Sequence, residues 1–451
     1  MGLFDKILIA NRGEIARRII RTCNRLGIQT VAIYSDADAE APFVKEATEA
    51  VCIGESQAKK SYLDIEKVIR VAKETKANAI HPGYGFLSEN PLFVNRCEEE
   101  GIVFIGPSAE VMKVMGSKLE SRIQMHAAGI PVVPGSEQGL DSVEDALAVA
   151  ENLGYPLMLK ASAGGGGIGM KLVSSNDELK TAFNSTKQQA ISFFGDGTVF
   201  LEKWISESRH IEVQIAADTH GNAVHLFERE CSVQRRHQKV VEESPSPFLD
   251  EELREKLVTT ALLAVKQIEY TNLGTMEFIF DGDKNFYFLE MNTRLQVEHP
   301  VTEEITGIDL VEWQLQIAAG QPLPAQQEQI KKSGHAIECR LYAEDPDTYF
   351  PSPGTIERLS LPEKEVRLDL GIVEGSVVSP YYDPMIGKII VYDGDRQRAI
   401  DKMKRVLEQV EVQGIKTNLP LLKRIIQADQ FTSGNYTTNF LTEISNTLKM
   451  K

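Results

Sequence analysis

Glu277, Glu290, Asn292, Arg294, Gln296 and Glu298 fall within one run, residues 275 to 300, that begins Thr-Met-Glu-Phe-Ile-Phe and ends Gln-Val-Glu-His-Pro. Two apolar stretches flank Asp281-Gly282-Asp283-Lys284-Asn285, the composition of a hairpin turn. A turn centred between Asp283 and Lys284 sets Glu277 opposite Glu290. Like charges facing each other across a ladder destabilise it, so a pair kept there points to a cation between them. Side chains alternate faces along a strand. Glu290, Asn292, Arg294, Gln296 and Glu298 therefore share one surface for as long as the strand stays extended. Hard oxygen ligands beside an anion-binding arginine suit a Mg²⁺–nucleotide site. A register error would turn the two carboxylates to opposite faces, and Arg294 with Glu298 would serve equally as a plain ion pair.

Other runs carry charge where phosphate chemistry needs it. Ala163-Gly164-Gly165-Gly166-Gly167-Ile168-Gly169-Met170 lies between two strand-like stretches, with Lys160 just ahead. Glycines let backbone N–H groups close around phosphate oxygens, and a lysine adds a mobile positive charge. The run lacks the Gly-x-x-x-x-Gly-Lys-Ser/Thr order and leads into no helix; a flexible hairpin tip has the same composition. Lys118 follows Met115-Gly116-Ser117 at a helix start, where a lysine alone reads as a solvated surface charge. Gln234-Arg235-Arg236-His237-Gln238-Lys239 is a basic cluster in an acidic chain, either an anion site or a strand paired with its own acidic neighbours. His210, Glu212 and Gln214 alternate with Ile211, Val213 and Ile215, the pattern of a half-buried strand, which makes His210 first a structural residue. His81-Pro82-Gly83-Tyr84-Gly85-Phe86 follows a strand, where α/β sheets place ligand loops. A tight turn with a packed tyrosine accounts for it equally well.

The elements that must hold these residues are legible in outline. Residues 1–113 alternate short apolar strands (Lys6–Ala10, Thr30–Ser35, Val51–Gly54, Ala79–Ile80, Val103–Gly106) with helix-length segments, which implies a parallel sheet of Rossmann-like type. Ala10-Asn11-Arg12-Gly13-Glu14 has one glycine and no dinucleotide fingerprint, so a nicotinamide enzyme is disfavoured. From about Pro131 an α+β block reads as an inserted flap: a helix over Val143–Leu153 capped by Ser142, then strands at Pro156–Ala161, Met170–Ser174 and Thr198–Ile205. Strand-rich segments follow, with a helix over Glu251–Ile268 between them, and residues 335–446 mix strands, turns and two amphipathic helices.

The 451 residues carry 49 basic and 65 acidic side chains, a net charge of −16, which argues against nucleic acid or an anionic membrane as a partner. Five scattered cysteines without a Cys-x-x-Cys pair suit a reduced, cytoplasmic protein. The N-terminus is no signal peptide, and no apolar stretch reaches membrane-spanning length.

Taken together, the motifs resemble the biotin carboxylase component of biotin-dependent carboxylases, within the ATP-grasp superfamily. The resemblance covers nearly the whole chain, through KILIANRGEIA, HPGYGFLSEN, LMLKASAGGGGIGM, RHIEVQI, ERECSVQRRHQKVVEE, FLEMNTRLQVEHPVTE, ECRLYAEDP and YYDPMIGK. It implies an α/β and α+β architecture: a Rossmann-like domain (1–113), an ATP-grasp domain (114–334, lid about 131–204) and a C-terminal domain (335–446). It implies carboxylation of biotin on a biotin carboxyl carrier protein by ATP and bicarbonate, through carboxyphosphate, as the first half-reaction of acetyl-CoA or another acyl-CoA carboxylase.

By matching positions, Lys118, Lys160, His237, Gly166 and Gly167 would hold phosphates, and Glu202, Lys203, Trp204, Ile205 and His210 would contact adenine and ribose. Glu277, Glu290 and Asn292 would carry Mg²⁺ or Mn²⁺. Lys239, Arg294, Gln296 and Val297 would bind bicarbonate, with Glu298 as its base; Arg340 would stabilise the biotin enolate, and Tyr84 would lie near biotin. The family carries a basic residue where this chain has Ile168, so one phosphate-directed charge is missing from the lid. The implied partners are the carrier protein, carboxyltransferase subunits and a second copy in a homodimer. No Ala-Met-Lys-Met biotinylation motif is present, as expected of a free-standing subunit; an excised domain would read the same. Another ATP-grasp ligase would share the metal pair without needing Lys239, Arg294 and Arg340 around one small anion, and a non-catalytic nucleotide-binding regulator would need none of them.

Overall fold

The run Ile7-Leu8-Ile9 is apolar at every position because both faces of its strand are covered. Strands β1 (Lys6–Ile9), β2 (Gln29–Ser35), β3 (Glu49–Gly54), β4 (Ala79–His81) and β5 (Val103–Phe104) form a parallel sheet in the order β3-β2-β1-β4-β5. Helix Gly13–Arg25 packs Ile15, Ala16, Ile19 and Ile20 with Ile7 and Ile9. Helix Ile65–Glu74, capped by Asp64, packs Val68, Ile69 and Ala72 with Leu8, Val31 and Ile33 on the other face. The strand order reverses between β1 and β4, the place where open α/β sheets bind ligands. The loops after these two strands meet there: Asn11 Nδ2 donates to the carbonyls of Pro82 (2.8 Å) and Tyr84 (2.7 Å). The computed structural model describes residues 3–163 and 169–449.

Beyond the first sheet, β6 (Leu157–Ala161), β7 (Met170–Val173) and β8 (Val199–Lys203) form a three-stranded antiparallel sheet, ordered β7-β6-β8. Leu157, Leu159, Val199 and Leu201 pack with Ala146 and Phe183 of helices Val143–Leu153 and Asn176–Phe194. Their alternates Met158, Lys160, Phe200 and Glu202 face the central cavity, as a period of two requires.

The largest sheet is antiparallel: β9 (Arg209–Ala217), β10 (Ala223–Arg235), β11 (Gln238–Ser244), β12 (Asn272–Phe280), β13 (Phe286–Asn292), β14 (His335–Tyr342), Met385–Asp393 and Arg367–Leu370, ordered β13-β12-β9-β10-β11-β14 and then the last two. Ile211, Val213 and Ile215 sit in a core with Met276, Phe278 and Leu257, Val258 and Ala261 of helix Glu251–Gln267. His210, Glu212 and Gln214 take the other face, buried as well. Helices Arg396–Gln409 and Leu419–Gln427 cover Ile389 and Val391 of the seventh strand. Among the described residues no helix is long and apolar enough to cross a membrane.

The β12–β13 hairpin reaches the expected pairing by another route. Near the turn Phe280 faces Phe286 and Phe278 faces Phe288, which centres the turn on Asp283 rather than between Asp283 and Lys284. A one-residue bulge at Leu289 then brings Glu277 opposite Glu290. In an unbroken strand Glu290 would share a face with Phe286 and Phe288. The bulge lets those rings enter the core while Glu290 faces the cavity. The extended strand ends at Asn292, and residues 293–298 bend.

Candidate active site

The loops after β1 and β4, the flap and the charged face of the large sheet enclose a cavity of about 990 Å³. A row of carboxylates crosses its floor: Glu290 faces Glu277 across β13 and β12, and Glu277 faces Glu212 across β12 and β9. Each is offset by a cation. Lys118, first residue of helix Lys118–Ala127, bonds Glu290. Lys239 Nζ donates to Glu212 (2.6 Å), Glu277 (2.8 Å) and Glu298 (2.7 Å). Arg229, wholly buried, donates to the second oxygen of Glu212 at 2.5 Å. His210 Nε2 lies 2.8 Å from Glu277, and its Nδ1 lies 2.7 Å from the amide of Gln234.

The electrostatics follow from burial and these partners. Burial alone would raise Glu277 and Glu298, but Lys239 with His210, and Lys239 with Arg340 and Arg229, hold them well below the ordinary carboxylate range. Burial would lower Lys239, and its three carboxylates hold it well above the usual lysine value. Glu212 is raised, by burial and by the charge of Glu298. Arg340 on β14 donates through Nε to Glu242 (2.6 Å) and through a terminal nitrogen to Glu298 (3.0 Å).

Arg294 donates to Glu89 (2.7 Å), to Asn292 Oδ1 (2.9 Å) and to Gln296 (3.1 Å). Asn292 and Gln296 in turn donate to Glu277 at 2.8 and 3.1 Å. Arg294, Gln296 and Val297 all line the cavity, so strict alternation is lost past Asn292. Glu298 lies beneath them, fully buried, reached through Lys239 and Arg340. Glu277, Glu290 and Asn292 line one wall with hard oxygen donors, a set that fits Mg²⁺ or Mn²⁺.

On the three-stranded sheet Lys160 of β6 bonds Glu202 of β8, and Trp204 and Ile205 line the wall. Lys203 turns its ammonium to the carbonyls of Gly154 (2.7 Å) and Tyr155 (3.3 Å). His237 sits with Arg236 in the β10–β11 turn at positive φ and lines the cavity. Burial and Lys160 lower its pKa. Gly166, Gly167 and Ile168 lie outside the described residues. Tyr84 lines the cavity from the loop after β4, with its hydroxyl on Glu14.

Sequence reasoning passed over Glu212, Glu89, Glu242 and Arg229. Glu212 shares the alternating pattern with His210, and Glu89 lies in the loop after β4, so both had a signal. Arg229 and Glu242 stand inside the run ERECSVQRRHQKVVEE, where nothing in the spacing sets them apart from their neighbours. His210, structural by its alternation and nucleotide-facing by the resemblance, lines the cavity and touches Glu277.

A Rossmann-like sheet, a flap facing a charged antiparallel sheet, and a C-terminal segment that supplies Arg340 define the three-part architecture of an ATP-grasp carboxylase. Family models match in the same order: the biotin carboxylase N-terminal domain over residues 3–112, the carbamoyl-phosphate synthase L chain ATP-binding domain over 117–326 and the biotin carboxylase C-terminal domain over 338–443. The chain is 60% identical to biotin carboxylase 2 of Bacillus subtilis, over 97% of this chain and 99% of that one. It is 59% identical to the biotin carboxylase of Halalkalibacterium halodurans, over 100% and 99%. It superposes on the Campylobacter jejuni biotin carboxylase–βγ-ATP complex with a TM-score of 0.96, at 46% identity over 98% and 99% of the two chains. With the biotin carboxylase domain dimer of Hydrogenobacter thermophilus 2-oxoglutarate carboxylase, in complex with MgADP, ADP and bicarbonate, the TM-score is 0.95, at 48% identity over 98% and 97%. The chain belongs to the biotin carboxylase family.

Proposed function

We propose that the chain uses MgATP and bicarbonate to carboxylate biotin held on a carrier protein. The observation that carries this reading is the meeting of Lys239 and Arg340 on Glu298, beside Arg294, Gln296 and Val297, in one cavity with the Glu277–Glu290 pair. Lys239, Arg294, Gln296 and the Val297 backbone bind bicarbonate, and Glu298 takes its proton. Bicarbonate oxygen attacks the γ-phosphorus, ADP leaves and carboxyphosphate forms. Carboxyphosphate then splits to CO₂ and phosphate; phosphate takes the ureido N–H proton, and the nitrogen attacks CO₂ while Arg340 holds the enolate oxygen. Glu277, Glu290 and Asn292 would hold Mg²⁺, which neutralises phosphate charge when bound. Lys118, Lys160, His237, Gly166 and Gly167 serve the phosphates, and Glu202–Ile205 with His210 the adenosine. Phosphoryl transfer needs mainly positioning and charge neutralisation, which this cavity is built to give. Tyr84 lies near biotin.

The domain limits follow the same reading: 1–113, 114–334 with a lid over about 131–204, and 335–446. The partners are a biotin carboxyl carrier protein, carboxyltransferase subunits of an acyl-CoA carboxylase and a second copy of the chain, in the cytoplasm. The test is ADP release from ATP, with and without bicarbonate and free biotin. Release that depends on bicarbonate and rises with biotin is expected; turnover indifferent to both sinks the reading in favour of another ATP-grasp ligase.

A further inference from the structure

A second like-charge pair lies behind the first. Glu242 and Glu338 face each other across β11 and β14, both fully buried. Glu242 has one oxygen on Arg340 Nε at 2.6 Å, while its other oxygen and both oxygens of Glu338 meet no donor. Nearby cations are committed elsewhere: Lys239 to Glu212, Glu277 and Glu298, and Lys388 to the carbonyl of Val297 (2.7 Å) and to Glu14 (3.3 Å). A buried carboxylate without donors takes a proton rather than stay charged. Burial raises Glu338 well above the ordinary range, and the charge of Glu242 adds to this against the pull of Lys388. Burial pushes Glu242 itself up to about 7 against the pull of Arg340, so Glu338 is the neutral member, and above about pH 7 the charge of the pair stays on Glu242, beside Arg340.

The arginine's fork is therefore split. Its Nε end is tied to Glu242 and its terminal end rests on Glu298. A regular strand would turn residues 239 and 242 to opposite faces. The register shift in the β10–β11 ladder between Val233 and Gln234 removes that constraint, so Lys239 and the arginine bound by Glu242 both reach Glu298.

We propose that Glu242, backed by Glu338, is a positioning residue that anchors Arg340 by Nε, so that the terminal end of the guanidinium can move from Glu298 to the biotin enolate oxygen while the arginine stays in the site. The proposal rests on the biotin carboxylase reading. It assigns to Glu242 the biotin half of the reaction and not the nucleotide half.

The experiment compares steady-state ADP release by the wild type, Glu242→Gln and Glu338→Gln, with and without free biotin. Glu242→Gln keeps an acceptor oxygen but loses the charge, and is expected to lower the biotin-dependent kcat about tenfold or more while KM for ATP stays within about twofold. Glu338→Gln replaces one neutral group by another and is expected to lose less than about threefold. Should Glu242→Gln not fold, Glu242→Asp, which keeps the charge and shortens the reach, is read by the same split between kcat and KM. An unchanged kcat, an equal loss on the ATP side, or a Glu338→Gln defect as large as that of Glu242→Gln overturns the proposal. Wild-type ADP release that ignores biotin overturns the function itself, whereas a biotin-dependent wild type with a silent Glu242→Gln overturns this inference alone.

Discussion

Glu298 accepts from Lys239 at 2.7 Å and from Arg340 at 3.0 Å, and these contacts keep it ionised although it is completely buried. An ionised carboxylate with so depressed a pKa is a weak base, so the same cations that hold it ready also restrain it. A bicarbonate that draws Lys239 and Arg340 toward itself strips that stabilisation and raises the basicity of Glu298 at the moment the proton must move. Glu298→Gln is therefore expected to lower bicarbonate-dependent turnover by about 10²-fold or more with ATP binding intact. Folding should survive, because Lys239 keeps Glu212 and Glu277 and Arg340 keeps Glu242. Equilibrium nucleotide binding beside ADP release checks it, and surviving bicarbonate dependence would remove Glu298 from the role of base. The glutamates of this cluster were legible where a hairpin or a motif set them off, as with Glu277 and Glu290. The three-way hold of Lys239 was not, because its partners arrive on β9, β12 and the bend after β13, and no local pattern links them.

At the scale of elements, alternation made most strands readable, and it also limited the reading. Counting from a symmetric turn placed Glu277 opposite Glu290, yet the turn is centred half a residue earlier, on Asp283, and Leu289 makes up the one-residue difference in pairing as a bulge. The clue lay in Phe286 and Phe288, whose rings belong in the core and could not share a face with Glu290. The loop after β4 shows the opposite case, where one residue type forces the geometry. Gly83 has φ +63°, and a Cβ there would lie 2.9 Å from Asn11 Nδ2, the group that ties Pro82 and Tyr84 to the first loop. Gly83→Ala combines left-handed backbone strain of about 1–2 kcal/mol with a displaced Asn11. The expected outcome is a lower thermal midpoint and a raised KM for biotin, with KM for ATP little changed, since Tyr84 comes from the loop after β4 whereas Lys160 and Glu202 stand on β6 and β8. Unaltered melting would show that Asn11 yields without cost.

Across the whole molecule, the contacts that join distant segments are buried ion pairs such as Arg18–Glu303 and Lys388–Glu14, for which a sequence offers no signal beyond the presence of the charges. Their sum shapes the response to acid. His81 is lowered to about 3 and His225 to about 4, both mainly by burial, and each is neutral in the folded chain where the unfolded chain is protonated. Below about pH 6.5 such histidines cost stability as pH falls, by about 1.4 kcal/mol per pH unit for each. Glu14, Glu212, Glu230, Glu338 and Glu242, the last pushed up to about 7, oppose them: burial raises each, so the folded chain holds protons that the unfolded chain has released above about pH 4.3. Between about pH 4.3 and 6.5 the two sets of slopes have opposite signs and offset each other. Below about pH 4.3 the raised carboxylates are protonated in both states and drop out. Glu277 and Glu298, held low by their cations against burial, and Glu243, held down to about 2 by His335 and Arg396 against burial, then take protons only on unfolding. The histidine slope has the same sign there, so every remaining contribution falls together as the solution is acidified. Urea midpoints measured across pH 3 to 7 should therefore change much less per pH unit above about pH 4.5 than below it, where they drop steeply. A midpoint that declines steadily from pH 6.5 would mean that the buried glutamates are charged in the folded chain and that Glu338 does not carry its proton.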